Sequence, residues 1–99
     1  MSIDVEIQDE DGNTISRYDG PALGLPFTRL APTDSACLRF IDPWGDVTFN
    51  QAQIEVLKGE LQVAAKRTED SKRLLELHAL SLFVEGARGV HVYLKFIGD

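Results

Sequence analysis

Four residues, Phe49, Asn50, Gln53 and Ile54, constrain this chain more than any others. Asn50 is a strong helix N-cap, because its side-chain oxygen accepts from the free amides of a first helical turn. Gln53 stands three residues on, where its own side chain returns a bond to the Asn50 amide. Phe49 and Ile54 flank this capping box at the positions of a hydrophobic staple. Together they predict a helix over about residues 51–66.

Ile54, Leu57, Leu61, Ala64 and Ala65 form one apolar stripe along that helix, the face expected to lie on a sheet. Ala52, Val56, Gly59 and Val63 form a second stripe nearly opposite, at about 100° per residue. The second stripe must meet another helix, another chain or water. Gly59 costs roughly 1 kcal/mol relative to Ala inside a helix, and close approach of a second backbone is one reason to tolerate it.

Upstream, Ala36, Leu38 and Phe40 alternate with Cys37, Arg39 and Ile41, the period of a half-buried strand. Asp42-Pro43-Trp44-Gly45 then reads as a turn, and Val47-Thr48-Phe49 as a returning strand. A hairpin with a bulge at Gly45 is expected. Trp44 at the turn tip either folds back on a neighbouring loop or anchors an interface.

The N-terminal segment alternates Ile3, Val5 and Ile7 with Asp4, Glu6 and Gln8, an amphipathic strand. Asp11-Gly12 suits a type I′ hairpin turn, with Glu6 opposite Arg17 and Val5 opposite Tyr18. Asp9, Asp11 and Asn13 lack the glycine and glutamate spacing of a calcium loop, so a solvated tip is expected. Residues 20–35 hold three of the four prolines with Leu23, Leu25, Phe27 and Leu30. That segment reads as an irregular apolar loop that either closes over the core or exposes leucines for binding.

After the first helix, Thr68 is the expected N-cap of a second, over about residues 69–85, ending near Gly86. Its last turns, Leu77 to Val84, are apolar almost all round and are expected to be buried on more than one side. His78, Ser81 and Glu85 share the remaining polar strip. Val90, Val92, Leu94 and Phe96 then alternate with His91, Tyr93 and Lys95, a strand expected to insert into the sheet. A mixed polar face of His91, Tyr93, Lys95, Arg39, Cys37, Arg17 and Glu6 would follow. The order β-β-β-β-α-α-β predicts a single α+β domain over residues 1–99. It is a two-layer sandwich of about five antiparallel or mixed strands under two helices.

Charge and composition exclude several functions. The net charge is −6, and Asp4, Glu6, Asp9, Glu10, Asp11 and Asp19 face only Arg17 within residues 1–20, a net −5 there. Such a field repels phosphate backbones and steers basic partners, and no basic patch with interleaved aromatics argues for nucleic acid. No apolar run approaches the roughly 20 residues of a membrane span, and the acidic start is not a signal peptide. One cysteine allows no internal disulfide, so a cytoplasmic, reducing setting is expected. Zinc spacings, a Walker loop and a nucleophile elbow are absent, so neither a metal nor a cofactor is expected. Cys37, within a strand pattern, reads as a small buried hydrophobe.

The leading expectation is a non-catalytic protein-binding module, such as a small acidic inhibitor or immunity-type protein for a basic partner. Its contact residues would be Asp9, Glu10 and Asp11, Leu25 with Trp44, and Val56, Gly59 and Val63. The alternatives are a structural or regulatory homodimer built on the first helix, and a small enzyme or ligand binder using His91 and Tyr93.

Overall fold

The capping box closes as the sequence requires: the Gln53 amide donates to Asn50 Oδ1 at 3.0 Å, and the Asn50 amide donates to Gln53 Oε1 at 2.9 Å. The helix it starts, α1, runs Gln51–Arg67. The computed structural model describes residues 3–24 and 35–98. Its other elements are strands β1 (Asp4–Asp9), β2 (Thr14–Arg17) and β3 (Val47–Phe49), helix α2 (Ser71–Glu85) and strand β4 (Val92–Ile97). The architecture is α+β, an antiparallel four-stranded sheet in the order β2-β1-β4-β3 with two helices packed on it.

β4 is the last strand in the chain, yet it lies inside the sheet between β1 and β3, as expected from its position after two helices. Val5 pairs with Phe96, Ile7 with Leu94, and Phe49 with Leu94. These residues form the inner face, and Ile54, Leu57, Leu61 and Ala64 of α1 join them in the core with Leu77, Leu80 and Val84 of α2. The helices run side by side in opposite directions. The Gly89 amide, just past α2, donates to Gln51 Oε1 at the start of α1, and Lys58 Nζ lies 3.8 Å from Glu85 Oε2.

Among the described residues there are four strands rather than five, because residues 36–41 are not a strand. Leu38–Phe40 form a short 3-10 turn. The carboxylate of Glu60 on α1 explains it, accepting from the amides of Ala36 at 2.5 Å, Cys37 at 3.0 Å and Leu38 at 2.9 Å. Convergent amides need curled backbone, whereas a strand directs successive N–H groups to opposite sides. Cys37, Leu38 and Ile41 are the buried residues, a helical-turn spacing hidden inside an apparent alternation. Glu60→Ala should therefore free this segment at a cost of about 2 kcal/mol in chemical denaturation. A loss below about 0.5 kcal/mol would mean that the segment holds without it.

The Asp42–Gly45 turn exists, with the Gly45 amide directed at Asp42 O (3.4 Å) and the Trp44 amide at Asp42 Oδ1 (2.9 Å). It does not make a hairpin, since β3 pairs only with β4. Instead the turn packs on Gly98, whose amide donates to Gly45 O at 3.1 Å. A Cβ on Gly98 would come within 2.6 Å of that same oxygen.

The first hairpin keeps its expected register at Glu6↔Arg17, and the Tyr18 amide donates to Val5 O at 2.9 Å. Its turn is not type I′. The Gly12 amide donates to Asp9 O, which places Glu10 and Asp11 at the centre, and Gly12 follows at φ +84. An irregularity between Ile7 and Gln8 absorbs the extra residue.

At the other helix junction, Asp70 rather than Thr68 is the N-cap of α2, accepting from the Lys72 amide at 2.9 Å. Thr68 closes α1 by donating its hydroxyl to Ala64 O at 2.7 Å. The last turns of α2 are buried on one side only, and Leu82 is exposed. Val90 lies in the turn before β4, also exposed. Leu23, at the start of the apolar loop, is fully buried and bridges to Ile3, whereas Leu25, Phe27 and Leu30 lie outside the described residues.

Candidate functional site

The acidic residues of the hairpin divide into two roles. Asp9 builds the tip: its Oδ1 accepts from the amides of Asp11 (3.0 Å) and Asn13 (2.9 Å), and its Oδ2 from the Asn13 side chain (3.2 Å). Hydrogen bonds led by the Asn13 amide hold its carboxyl below the ordinary range. Glu10 and Asp11 carry the exposed charge at the tip. His91 Nδ1 lies 2.9 Å from Glu10 Oε2, so His91 braces the hairpin from the turn that precedes β4. All four β2 residues are exposed, Ile15 included, so β2 is an uncovered edge strand, while β1 of the same hairpin puts Val5 and Ile7 in the core.

The open face of the sheet differs from its expected membership. Glu6, Gln8, Arg17, Tyr93 and Lys95 belong to it by register. Glu6 is its hub. The Gln8 side-chain amide and the Thr14 hydroxyl donate to Oε1 at 2.9 and 2.8 Å, and Arg17 Nε lies 3.4 Å from Oε2. Those two hydrogen bonds, aided by Arg17 and Lys95, hold the Glu6 carboxyl below its ordinary value. His91, in the turn just before β4, continues this register: Asp9 pairs with Val92, and Glu10 and His91 follow. Cys37 and Arg39 are not on this face: they sit in the 3-10 segment, where Arg39 stacks 4.7 Å from the Phe40 ring centre. Cys37 is buried, and that burial, with Glu60 nearby, raises its thiol pKa, the reverse of an activated nucleophile.

Trp44 does not fold back; it is exposed, as is Phe40 on the adjoining 3-10 turn. Among the described residues, the second stripe of α1 meets no other helix. Val56 and Val63 are 46% and 42% exposed, and a Cβ on Gly59 would meet nothing within 4 Å. His78, Ser81 and Glu85 come together as expected and line a shallow open groove with Leu82. The Glu85 carboxylate there is engaged by Arg88 at 3.2 Å as well as by Lys58.

Two features escaped sequence reasoning. Glu76 on α2 is buried, with Arg73 Nη1 3.1 Å from its Oε2, an ion-pair contact that supplies no hydrogen bond to that oxygen. Beside it, burial and the Glu76 carboxylate push the Tyr18 phenol up to about 12. Leu75 and Leu82 are 65% and 77% exposed, a pair seven residues apart on α2. Their spacing was visible in the sequence, but a helix end apolar all round hid which leucines point outward.

Among the described residues, no three of His, Cys, Asp and Glu group so as to hold a metal ion. No described helix is long and apolar enough to cross a membrane. The chain is thus an α+β two-layer protein with an acidic hairpin at one edge of its sheet and an apolar outer helix face. No family model matches it, and neither does any curated protein or solved structure.

Proposed function

We propose that this protein is a non-catalytic protein-binding module whose N-terminal hairpin engages a basic partner, in the manner of a small acidic inhibitor or immunity-type protein. The observation that carries the reading is the hairpin itself. Its second strand is the exposed edge of the sheet, and its tip is set by three hydrogen bonds to the Asp9 side chain, leaving Glu10 and Asp11 exposed. A preorganised charged tip loses little conformational freedom on binding. The segment's net −5 supplies long-range attraction for a cationic surface. Exposed Ile15 on β2 offers an apolar contact that charge alone lacks. A cytoplasmic setting belongs to this reading.

Asp9 must be left intact in a test, since its replacement would undo the turn. Glu10→Gln with Asp11→Asn removes charge while sparing the Asp9 bonds that set the turn, and the new glutamine side chain keeps an oxygen for His91. The pair should slow association with the captured partner several-fold and flatten its salt dependence, read by surface-based kinetics. An on-rate and salt slope equal to those of the wild type would refute the steering role.

A further inference from the structure

The outer face of the helix layer carries an order of its own. Val56 and Val63 lie seven residues apart on α1, and Leu75 and Leu82 lie seven apart on α2, so each pair is separated by about two turns. All four point to solvent. The midpoint of the first pair falls at Gly59 and of the second beside His78. Both midpoints stand about two turns from the 68–70 connection, because the helices run antiparallel from it. They are therefore level with each other across the layer.

We propose that this face binds a second copy of the chain about a two-fold axis that crosses both helices, over Gly59 and beside His78. The axis places α1 antiparallel on the partner's α1, and α2 on the partner's α2. Val56 then meets the partner's Val63, and Leu75 meets the partner's Leu82. Self-complementarity of this kind is what a two-fold interface requires.

Charge selects the same arrangement. Glu55 and Lys66 lie eleven residues apart, about three turns, on one flank of α1. They straddle Gly59, so the axis brings Glu55 of each copy to Lys66 of the other. Among the described residues Lys66 makes no ion pair, and Glu55 is 62% exposed with only Gln51 and Lys58 at hand. Gly59, where an added Cβ would meet nothing within 4 Å, lies where the two backbones come nearest.

The layer is about 25 Å long and about 20 Å wide, which gives on the order of 1,000 Å² buried over both copies, the lower end for specific association. The dimer is thus expected to be a reversible one. It goes beyond the binding role proposed above, because it uses the helix layer and leaves the hairpin and the open sheet face free.

Sedimentation velocity of the full chain from low micromolar to millimolar concentration tests it. The wild type should pass from monomer to dimer. Val56→Asp and Leu82→Asp should each weaken association at least tenfold, with unfolding midpoints showing that the monomer remains folded. Glu55→Lys and Lys66→Glu should each weaken it, and the double reversal should restore it. A wild type that stays monomeric, a dimer indifferent to both aspartates, or a double reversal no better than either single would overturn the arrangement.

Discussion

Arg73→Ala should cost about 3–5 kcal/mol of folding stability, although Arg73 touches no proposed contact surface. Its side chain is 13% exposed, and its guanidinium lies against a Glu76 side chain only 3% exposed. Removing it leaves a carboxylate in the protein interior with no counter-charge among the described residues, and Oε2 accepts no hydrogen bond in compensation. Asp70, 3.9 Å away at the helix N-cap, loses a weaker partner in the same change. The double variant Arg73→Ala/Glu76→Leu should recover most of the loss, because an apolar residue of similar volume removes the stranded charge. Urea denaturation of both variants checks this. Equal losses in the single and the double variant would place the cost in lost packing of the arginine stem instead.

Phe96→Ala should cost a similar amount, about 3–5 kcal/mol, for a different reason. Phe96 is fully buried at the centre of the sheet, paired in register with Val5 on one side and Val47 on the other. Its ring meets Phe49 edge-on at 5.9 Å. Truncation opens a cavity beneath both helices, with β4 held on both sides and little able to collapse into it. A thermal midpoint lower by roughly 15 °C or more is expected. A fall of only a few degrees would mean that the surrounding core collapses into the space and is not rigidly packed around Phe96.

How far the chain reveals its fold depends on whether a signal is local. Asn50 and Gln53 need only each other, so the start of α1 was legible to the residue. β4 was legible because Val92, Leu94 and Phe96 are buried by one sheet face and alternate accordingly. Ala36–Ile41 misled, since its conformation is set by Glu60, over twenty residues away, and six residues of alternation hold a helical-turn pattern equally well. The end of α2 misled because Leu80 and Leu82 carry the same hydropathy, and only the fold decides that one is buried and the other exposed.

The surfaces were legible in part. The acidic excess of the first twenty residues was plain, but not that Asp9 shapes the tip while Glu10 and Asp11 display charge. The small-residue stripe of α1 was plain, but its match with Leu75 and Leu82 needed the two helices placed side by side. His91 and Tyr93 alternate in sequence, and although the strand begins between them, His91 meets Glu10 where the β1–β4 register continues past Asp9↔Val92.

Whether the acidic hairpin binds a basic protein can be read from one capture experiment. The chain is immobilised and exposed to lysate of its native host at low and at moderate salt, and the mass and sequence of every retained species are determined. One stoichiometric basic protein is expected, retained at low salt, lost as salt rises, and retained less by the Glu10→Gln/Asp11→Asn variant. Retention of nothing but the chain itself, or of a partner indifferent to both salt and that variant, would show that the hairpin is not a binding element for a basic protein.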